Sequence, residues 1–565
     1  MRIRFHGAID EVTGSCYELI DEVMKLHVLV DCGLVQGEVG ADRRNAGPFP
    51  FDPRTLTHVF LTHAHSDHSG LVPRLYAEGY RGTVYCTEET ASLAKLVQYD
   101  SAKLGLAPYS KKDVDAQVFH EHSKATTFRM VCPVDKDFFA IYFRSGHILG
   151  GTSIRLLWGP EGGNQKSITF SGDVGPNRED EEVFPLTAFR MSPYRSDYLV
   201  VESTYGGTVR EAKTAEDRIL SLAKAVGEAV VQRRGTLIIP CFALERLPDV
   251  LCDLTFIYSK APAHMSSIPV TVDTGLGTAA MRVMAQAIER SYTLGDGKRV
   301  RDVWLGRGIF RLLGLDWQSP EHRELVIDAV REMLLKGYEA KLPRTGALAH
   351  WRRIWNPGTS KAEERRVPRG PAIVLATGGM CEGGPVQFYL QSLLTDPTTT
   401  VLFPGYCSAS TIGGKLLEMR DLDETQRKKL GGALELDGSS VNRAEIRAVI
   451  QKIDGYSAHA DQAGLLDWMW SGKPGERRAP IARTIFISHG TPEPRRKLKC
   501  AIEAKARATG DEVTVELPPR GQWYDLDHGR WLDEGLSPLE VMRNELNRLK
   551  AENELLKRES STKAG

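Results

Sequence analysis

Val59-Phe60-Leu61-Thr62-His63-Ala64-His65-Ser66-Asp67-His68-Ser69-Gly70 is the stretch from which the rest of the chain can be read. Three imidazoles and a carboxylate fall within six positions, directly after an apolar run. A strand is predicted to end at Leu61 and to deliver all four groups into one loop. Neutral imidazole nitrogens and an ionised carboxylate form the donor set suited to Zn2+, and a catalytic zinc keeps one position open for water. The bland alternative is a chance cluster of surface histidines; lone histidines are common, but such clusters are not.

Strand-like runs elsewhere end the same way. Leu26-His27-Val28-Leu29-Val30 ends in Asp31, residues 138–143 lead into Ser145-Gly146-His147, and Ser167-Ile168-Thr169-Phe170 leads into Gly172-Asp173. Tyr198-Leu199-Val200-Val201 leads into Glu202, and far downstream Thr484-Ile485-Phe486-Ile487-Ser488 leads into His489. A rigid sheet presenting polar residues from the loops at its strand ends is a common way for α/β scaffolds to build an active site. From Met1 to about Tyr205 such runs alternate with turn residues, which predicts strands of a sandwich covered by helices.

Residues from about Gly206 to Gly455 follow another rhythm. Thr214-Ala215-Glu216-Asp217 has the hydroxyl-then-acid spacing of a helix start, with Ile219, Leu222, Ala223 and Val226 at helical spacing behind it. Runs at 236–239, 268–272, 372–375 and 400–403 read as buried strands separated by helical patterns, a parallel α/β unit inserted into the first. After Gly455 the first unit resumes with Tyr456-Ser457-Ala458-His459-Ala460-Asp461. Ser537 and Pro538 open a further helix in which Leu539, Met542, Leu546, Leu549, Asn553 and Leu556 recur at spacings of three and four. That pattern is a short coiled coil, pairing two copies or recruiting another protein, or a helix packed on its own domain. The expected division is 1–206, 207–455, 456–535, the helix 537–559 and a disordered tail 560–565.

At 565 residues the chain exceeds what one core usually supports. Its 73 basic and 73 acidic residues exclude an argument from global charge, so a polyanionic partner would be held by a local patch. Nine cysteines without a Cys-x-x-Cys pair read neither as a disulfide framework nor as a cysteine-zinc site, and point to a reducing cytosol. With no apolar run long enough to span a bilayer, the expected location is cytoplasmic, with no membrane partner. Basic clusters at Lys298-Arg299-Val300-Arg301 and Arg365-Arg366-Val367-Pro368-Arg369 are either solvated loop or a phosphate-facing rim.

Collected, His63, His65, Asp67, His68, His147, Asp173 and His489 are seven candidate ligands, enough for two Zn2+ ions sharing a bridging carboxylate and a hydroxide. Two metals about 3.5–4 Å apart lower the pKa of a bridging water and clamp both oxygens of an in-line phosphoryl displacement. Phosphodiester hydrolysis fits that donor set.

The segment from Gly7 to Tyr17, Asp31-Cys32-Gly33-Leu34-Val35-Gln36-Gly37, the cluster 63–68, Gly146-His147-Ile148-Leu149-Gly150-Gly151-Thr152 and Ser171-Gly172-Asp173-Val174-Gly175 resemble the successive motifs of the metallo-β-lactamase fold. Within it, Glu202 in Val200-Val201-Glu202-Ser203-Thr204-Tyr205-Gly206 resembles motif A of the β-CASP nucleases, His459 their motif B and His489 their motif C. The likeness runs to about Asp525 and includes the bacterial and archaeal relatives of the endonuclease subunit of the cleavage and polyadenylation specificity factor. It implies an α/β architecture: a metallo-β-lactamase αββα sandwich with an inserted parallel α/β β-CASP domain, to which the heptad pattern adds a short C-terminal coiled-coil helix.

By the same resemblance His63, His65 and His147 bind one zinc, Asp67, His68 and His489 the other, and Asp173 bridges them; Mn2+ can replace Zn2+ on such ligands. Asp31 orients the ligand loop from behind. Asp67, Glu202 and His459 are the implied catalytic residues, His459 as the general acid held by Glu202. Histidine at motif C implies RNA, in single-stranded form, as substrate and partner. The wording of the cluster favours mainly endonucleolytic cutting over the 5′-to-3′ exonucleolytic mode of ribonuclease J. A hydrolase of small esters or thioesters and a non-catalytic scaffold are the other readings; the inserted domain speaks against the first and the complete ligand set against the second.

Arg246 and Ser457 are implied substrate contacts, as is the turn Thr377-Gly378-Gly379, whose backbone N–H groups could face a phosphate, although glycine after a strand is usually only a turn. Three features depart from the family pattern. Glu245 precedes Arg246 where relatives usually have glycine, Val272-Asp273-Thr274-Gly275-Leu276-Gly277 replaces the usual Asp-Ser-Pro-Leu-Ala, and the segment 298–370 is long.

Overall fold

The computed structural model describes residues 1–532 except 38–39, 122–127, 180–181, 212–213, 245, 262–266, 291, 294–298, 301–303, 360–361, 406 and 472–476. The expected coiled coil at 537–559, the tail 560–565, Glu245, Lys298 and Arg301 lie outside the described residues.

Two sheets face each other. One has eight strands in the order Arg530–Trp531, Trp523–Asp525, Arg2–Phe5, Cys16–Asp21, Leu26–Cys32, His58–Phe60, Thr83–Cys86 and Phe119–Glu121. The other has seven: Thr514–Glu516, Ala482–Ile487, Ser196–Val201, Lys166–Phe170, Thr152–Trp158, Phe138–Arg144 and Cys132–Asp135. The two-residue alternation of a strand explains the layering. Val28 and Val30 enter the core between the sheets with Phe60, Phe138, Ile168, Val200 and Phe486. Leu29, between them, faces outward with Val59, Leu61 and Val84 against apolar residues of helices Val72–Ala77 and Glu88–Leu104. On the far side Leu199 and Val201 pack on Trp468, Leu498 and Ile502 of helices Gln462–Met469 and Pro492–Thr509. Two sheets between two helical layers are the expected αββα sandwich.

Register brings the functional strand ends together. Ser196–Val201 and Ala482–Ile487 run parallel with Val201 opposite Ile487, so Glu202 and Ser488-His489 leave the sheet side by side although 287 residues separate Ser488 from Val201. Leu26–Cys32 and His58–Phe60 are also parallel, Val30 opposite Phe60, which sets Asp31 beside Leu61 and Thr62.

The third sheet is the inserted unit: six strands, parallel at every pairing, in the order Trp355–Pro357, Val270–Asp273, Ala372–Thr377, Thr236–Cys241, Thr400–Phe403 and Val449–Lys452. Leu237 and Ile239 pack on Leu251 and Met281 on one face, while Ile238, Val374 and Val401 pack on Val386, Leu390 and Leu416 on the other. The helix Ala215–Val226 begins at the Thr214/Asp217 capping box, as its spacing predicts, but continues as a π-helical turn, Gly227–Gln232, before Gly235. Within the long segment 298–370 lie helices Gly308–Leu313 and Pro320–Leu334 and the edge strand Trp355–Pro357. Pro357 is tolerated there because an edge strand has one unpaired side. Among the described residues no helix is long and apolar enough to cross a membrane.

Candidate metal centre

The four groups of the opening motif divide between two local structures. His63 and His65 lie in the loop after His58–Phe60, whereas Asp67 and His68 sit on a single helical turn, Ser66–Ser69, rather than in the expected loop. The N–H groups of His68 and Ser69 donate to the His65 carbonyl, and that of Gly70 to Ser66, which winds the turn. It rests on Gly33: a Cβ there would lie 1.7 Å from the Asp67 carbonyl oxygen, so only glycine fits.

Around Asp173 the donors form two clusters. His65 Nδ1 lies 3.1 Å from His63 Nε2 and 3.1 Å from His147 Nε2, and Asp173 Oδ2 is 3.5 and 3.4 Å from the same two Nε2 atoms. On the other side His68 Nε2 and His489 Nε2 are 3.1 Å apart, Asp67 Oδ2 is 3.5 Å from His489 Nε2, and Asp173 Oδ1 lies 3.3 and 3.6 Å from the two imidazoles. Ligand atoms at 2.0–2.1 Å from a tetrahedral zinc are about 3.3 Å apart, so both clusters have the spacing an ion would impose. Asp173 Oδ1 is buried without a hydrogen-bond partner, an unsatisfied acceptor that a cation would satisfy. The residues present therefore fit a metal pair.

Three of the remaining ring nitrogens are held by acceptors. His68 Nδ1–H donates to Asp31 Oδ2 at 2.8 Å, His147 Nδ1–H to the Ala458 carbonyl at 3.2 Å, and His489 Nδ1–H to Thr204 Oγ1 at 3.0 Å. Each contact fixes the ring and turns its Nε2 toward the centre. Asp31 is fully buried and also accepts from Thr62 N and Thr62 Oγ1, both at 2.8 Å. Asp31 (φ 56°) and His489 (φ 49°) occupy the left-handed region, uncommon for residues other than glycine.

Burial, together with the charge of neighbouring His68, holds the His63 imidazole well below its ordinary pKa, which keeps it a neutral donor. Burial alone would raise the Asp173 carboxyl, but the surrounding imidazoles, His489 and His68 foremost, hold it well below the carboxylate range.

A second device borders the first. His459 Nδ1 lies 3.1 Å from both oxygens of Glu202, and its Nε2 is 3.9 Å from Asp173 Oδ2. Glu202 is buried and accepts from Val174 N at 2.7 Å and Thr204 N at 3.2 Å. Burial opposes its ionisation, yet the charge and hydrogen bond of His459 keep it below its ordinary value. His459 and Asp67 remain 19% and 18% exposed, so the centre opens to solvent on their side.

The other anticipated substrate contacts do not join this convergence. Arg246 is buried on the first turn of helix Arg246–Lys260, 4.7 Å over the Phe184 ring and 3.7 Å from Asp249. A Cβ on Gly378 would lie 2.1 Å from the Gly383 carbonyl oxygen and one on Gly379 2.7 Å from the Phe242 ring, so packing already requires glycine at both. Thr377 ends the central strand Ala372–Thr377, and Ser457 is half-buried two residues before His459. Thr62, Thr204 and the Ala458 carbonyl were not anticipated. Thr62 and Thr204 each stand beside a predicted residue, which is the signal that could have found them.

Three family models match the chain: "Metallo-beta-lactamase superfamily" over residues 10–218, "Beta-Casp domain" over 249–416, and "Zn-dependent metallo-hydrolase RNA specificity domain" over 443–516. Ribonuclease TTHA0252 of Thermus thermophilus is 28% identical over 480 residues, covering 84% of this chain and 91% of that protein. The transcription termination factor FttA of Methanosarcina mazei is 26% identical over 500 residues, 87% of this chain and 67% of the relative. An RNase J-like protein of Methanocaldococcus jannaschii is 26% identical over 495 residues, 86% of this chain and 92% of the relative.

Proposed function

The chain belongs to the metallo-β-lactamase superfamily and to its β-CASP ribonucleases, and from that premise we propose that it is a two-zinc hydrolase that cuts single-stranded RNA mainly at internal bonds. The observation that carries this reading is the convergence on Asp173: Oδ2 faces His63, His147 and His459, and Oδ1 faces His68 and His489. In this reading His63, His65 and His147 would hold one ion, Asp67, His68 and His489 the other, with Asp173 available to both. A bound pair of divalent ions supplies Lewis acidity at the phosphoryl oxygens and lowers the pKa of water.

The chain's own residues supply proton transfer and orientation. Asp67, at the open side, accepts the proton that the attacking water gives up. His459 donates a proton from Nε2 to the leaving ribose oxygen as the phosphorus–oxygen bond breaks, a task imidazole suits because it exchanges protons near neutral pH. Glu202 holds Nδ1, orients the ring and balances the charge of its protonated form. Asp31 keeps His68 in the tautomer that leaves Nε2 bare. The sheet memberships support an inserted domain at 207–455 within a catalytic domain made of 1–206 and 456–535.

The second reading is 5′-to-3′ exonucleolytic cutting, the mode that the resemblance to ribonuclease J implies; one relative is named RNase J-like. Small esters or thioesters are disfavoured, because they need neither the inserted sheet nor the Glu202–His459 pair. Chelation, Asp67→Ala and His459→Ala should each abolish cutting of single-stranded RNA. Cutting that survives both substitutions would refute the proposal.

A further inference from the structure

The loop that carries His459 is tied down at three main-chain points. The Ala458 carbonyl accepts from His147 at 3.2 Å, Ala460 N donates to the Val174 carbonyl at 2.7 Å, and the His459 carbonyl accepts from Arg210 Nη1 at 3.1 Å. The first two ties belong to the frame of the metal centre. The third comes from outside it, from the segment that leaves Glu202 for the inserted sheet. That segment and the loop run side by side: Arg210 N donates to Asp461 Oδ2 at 2.8 Å, Gln462 N to the Thr208 carbonyl at 2.9 Å, and Gln462 Nε2 to the Gly206 carbonyl at 2.7 Å. The Arg210 guanidinium lies 3.8 Å from the Tyr205 ring centroid, and the Tyr205 ring is 6.0 Å from that of His459. Asp461 Oδ1 meanwhile caps the helix Gln462–Met469 through Gly464 N at 2.8 Å, so one carboxylate anchors both segments.

From this arrangement we infer that Arg210 is a positioning residue: its bond to the His459 carbonyl sets the reach of the imidazole toward the leaving oxygen. The Glu202 bond fixes the hinge about which the ring points, and the main chain of residue 459 fixes where that hinge stands. Arg210 bonds that main chain directly, through a charge-assisted hydrogen bond stronger than a neutral one. Without it the half-buried carbonyl is resolvated and the metal frame keeps its other ties, but His459 gains main-chain freedom. The inference rests on His459 as the general acid.

The test compares two oligonucleotides of one sequence. One is ordinary RNA; the other carries a bridging phosphorothiolate at the mapped cut site, so the leaving sulfur needs no proton. Arg210→Ala should lower kcat on RNA about 10- to 100-fold, as misplacing a reacting group does, with KM and metal content unchanged. On the phosphorothiolate it should stay within about threefold of wild type, and Arg210→Lys, which keeps a cationic donor, should restore part of the RNA rate. His459→Ala should show the same selective rescue from a deeper loss. If His459→Ala is rescued and Arg210→Ala is not, or if Arg210→Ala cuts RNA at the wild-type rate, the inference is overturned. If His459→Ala loses equally on both substrates, the general-acid reading fails and the role of Arg210 falls with it.

Discussion

Asp31 is the residue whose replacement separates folding from metal binding most cleanly. It is fully buried and accepts three hydrogen bonds of 2.8 Å, from Thr62 N, Thr62 Oγ1 and His68 Nδ1. In Asp31→Ala the Thr62 hydroxyl can rotate, but the Thr62 and His68 N–H groups lose their acceptor inside the protein. At about 1–3 kcal/mol for each buried unsatisfied donor, the loss is about 2–6 kcal/mol. Alanine at φ 56° adds about 1–2 kcal/mol. Asp31→Asn tolerates the left-handed backbone and can still accept from Thr62 N, so it should be the more stable variant. Its amide, however, offers a donor toward His68 Nδ1 and shifts that ring to the tautomer protonated on Nε2, the atom that faces Asp173. Loss of such a supporting carboxylate typically weakens metal binding about 10- to 100-fold. Urea unfolding with chelator present should rank the three proteins, and zinc competition with a chromophoric chelator should show one weakened equivalent in Asp31→Asn. If the asparagine variant binds both equivalents as wild type does, or the alanine variant unfolds within about 0.5 kcal/mol of wild type, the role assigned to Asp31 is wrong.

Glu202→Gln should lower kcat on RNA about 10²- to 10⁴-fold while zinc content stays unchanged, because Glu202 touches His459 and main-chain N–H groups rather than the two ligand clusters; parallel loss of metal would contradict this. Gly33→Ala must displace the turn carrying Asp67 and His68, since its Cβ would meet the Asp67 carbonyl at 1.7 Å; a lowered Tm and reduced zinc content are expected together, and an unchanged zinc titration would count against the argument. Glu11, 4% exposed, is raised by burial but overruled by bonds from Arg44 and Arg520 that hold its carboxyl below the ordinary value. Its folded pKa being depressed, the stabilisation is present above the unfolded value of about 4.3 and is lost as pH falls through the folded one. Glu11→Gln should therefore be less stable than wild type at neutral pH, with the gap closing on acidification; a gap independent of pH would exclude this linkage.

The sandwich was legible because strands bury alternate residues, so Val28 and Val30 against Leu29 announce a sheet with two apolar faces. The predicted ligand residues were legible because each follows such a run, and the structure brings the other six together around Asp173. The surroundings were less so. Ala458 and Val174 act through main-chain atoms that any residue provides, and Arg210 reaches His459 across 249 residues of chain that form the inserted sheet. Trp355–Pro357 is three residues long and contains proline, too short for a two-residue period to be recognised; its place is set by parallel pairing with Val270–Asp273. Arg246 lies buried over Phe184, a placement set by the packing of the inserted domain and not readable from its local motif.

Metal-dependent RNA cutting is decided by incubating the purified protein with 5′-labelled and internally labelled single-stranded RNA, and with DNA of the same sequence, each with and without chelator. Internal cuts in RNA that vanish on chelation and return with added zinc are the expected result. Mononucleotides released from the 5′ end would shift the mode to exonucleolytic, and RNA cutting indifferent to chelator would contradict the metal-centred account.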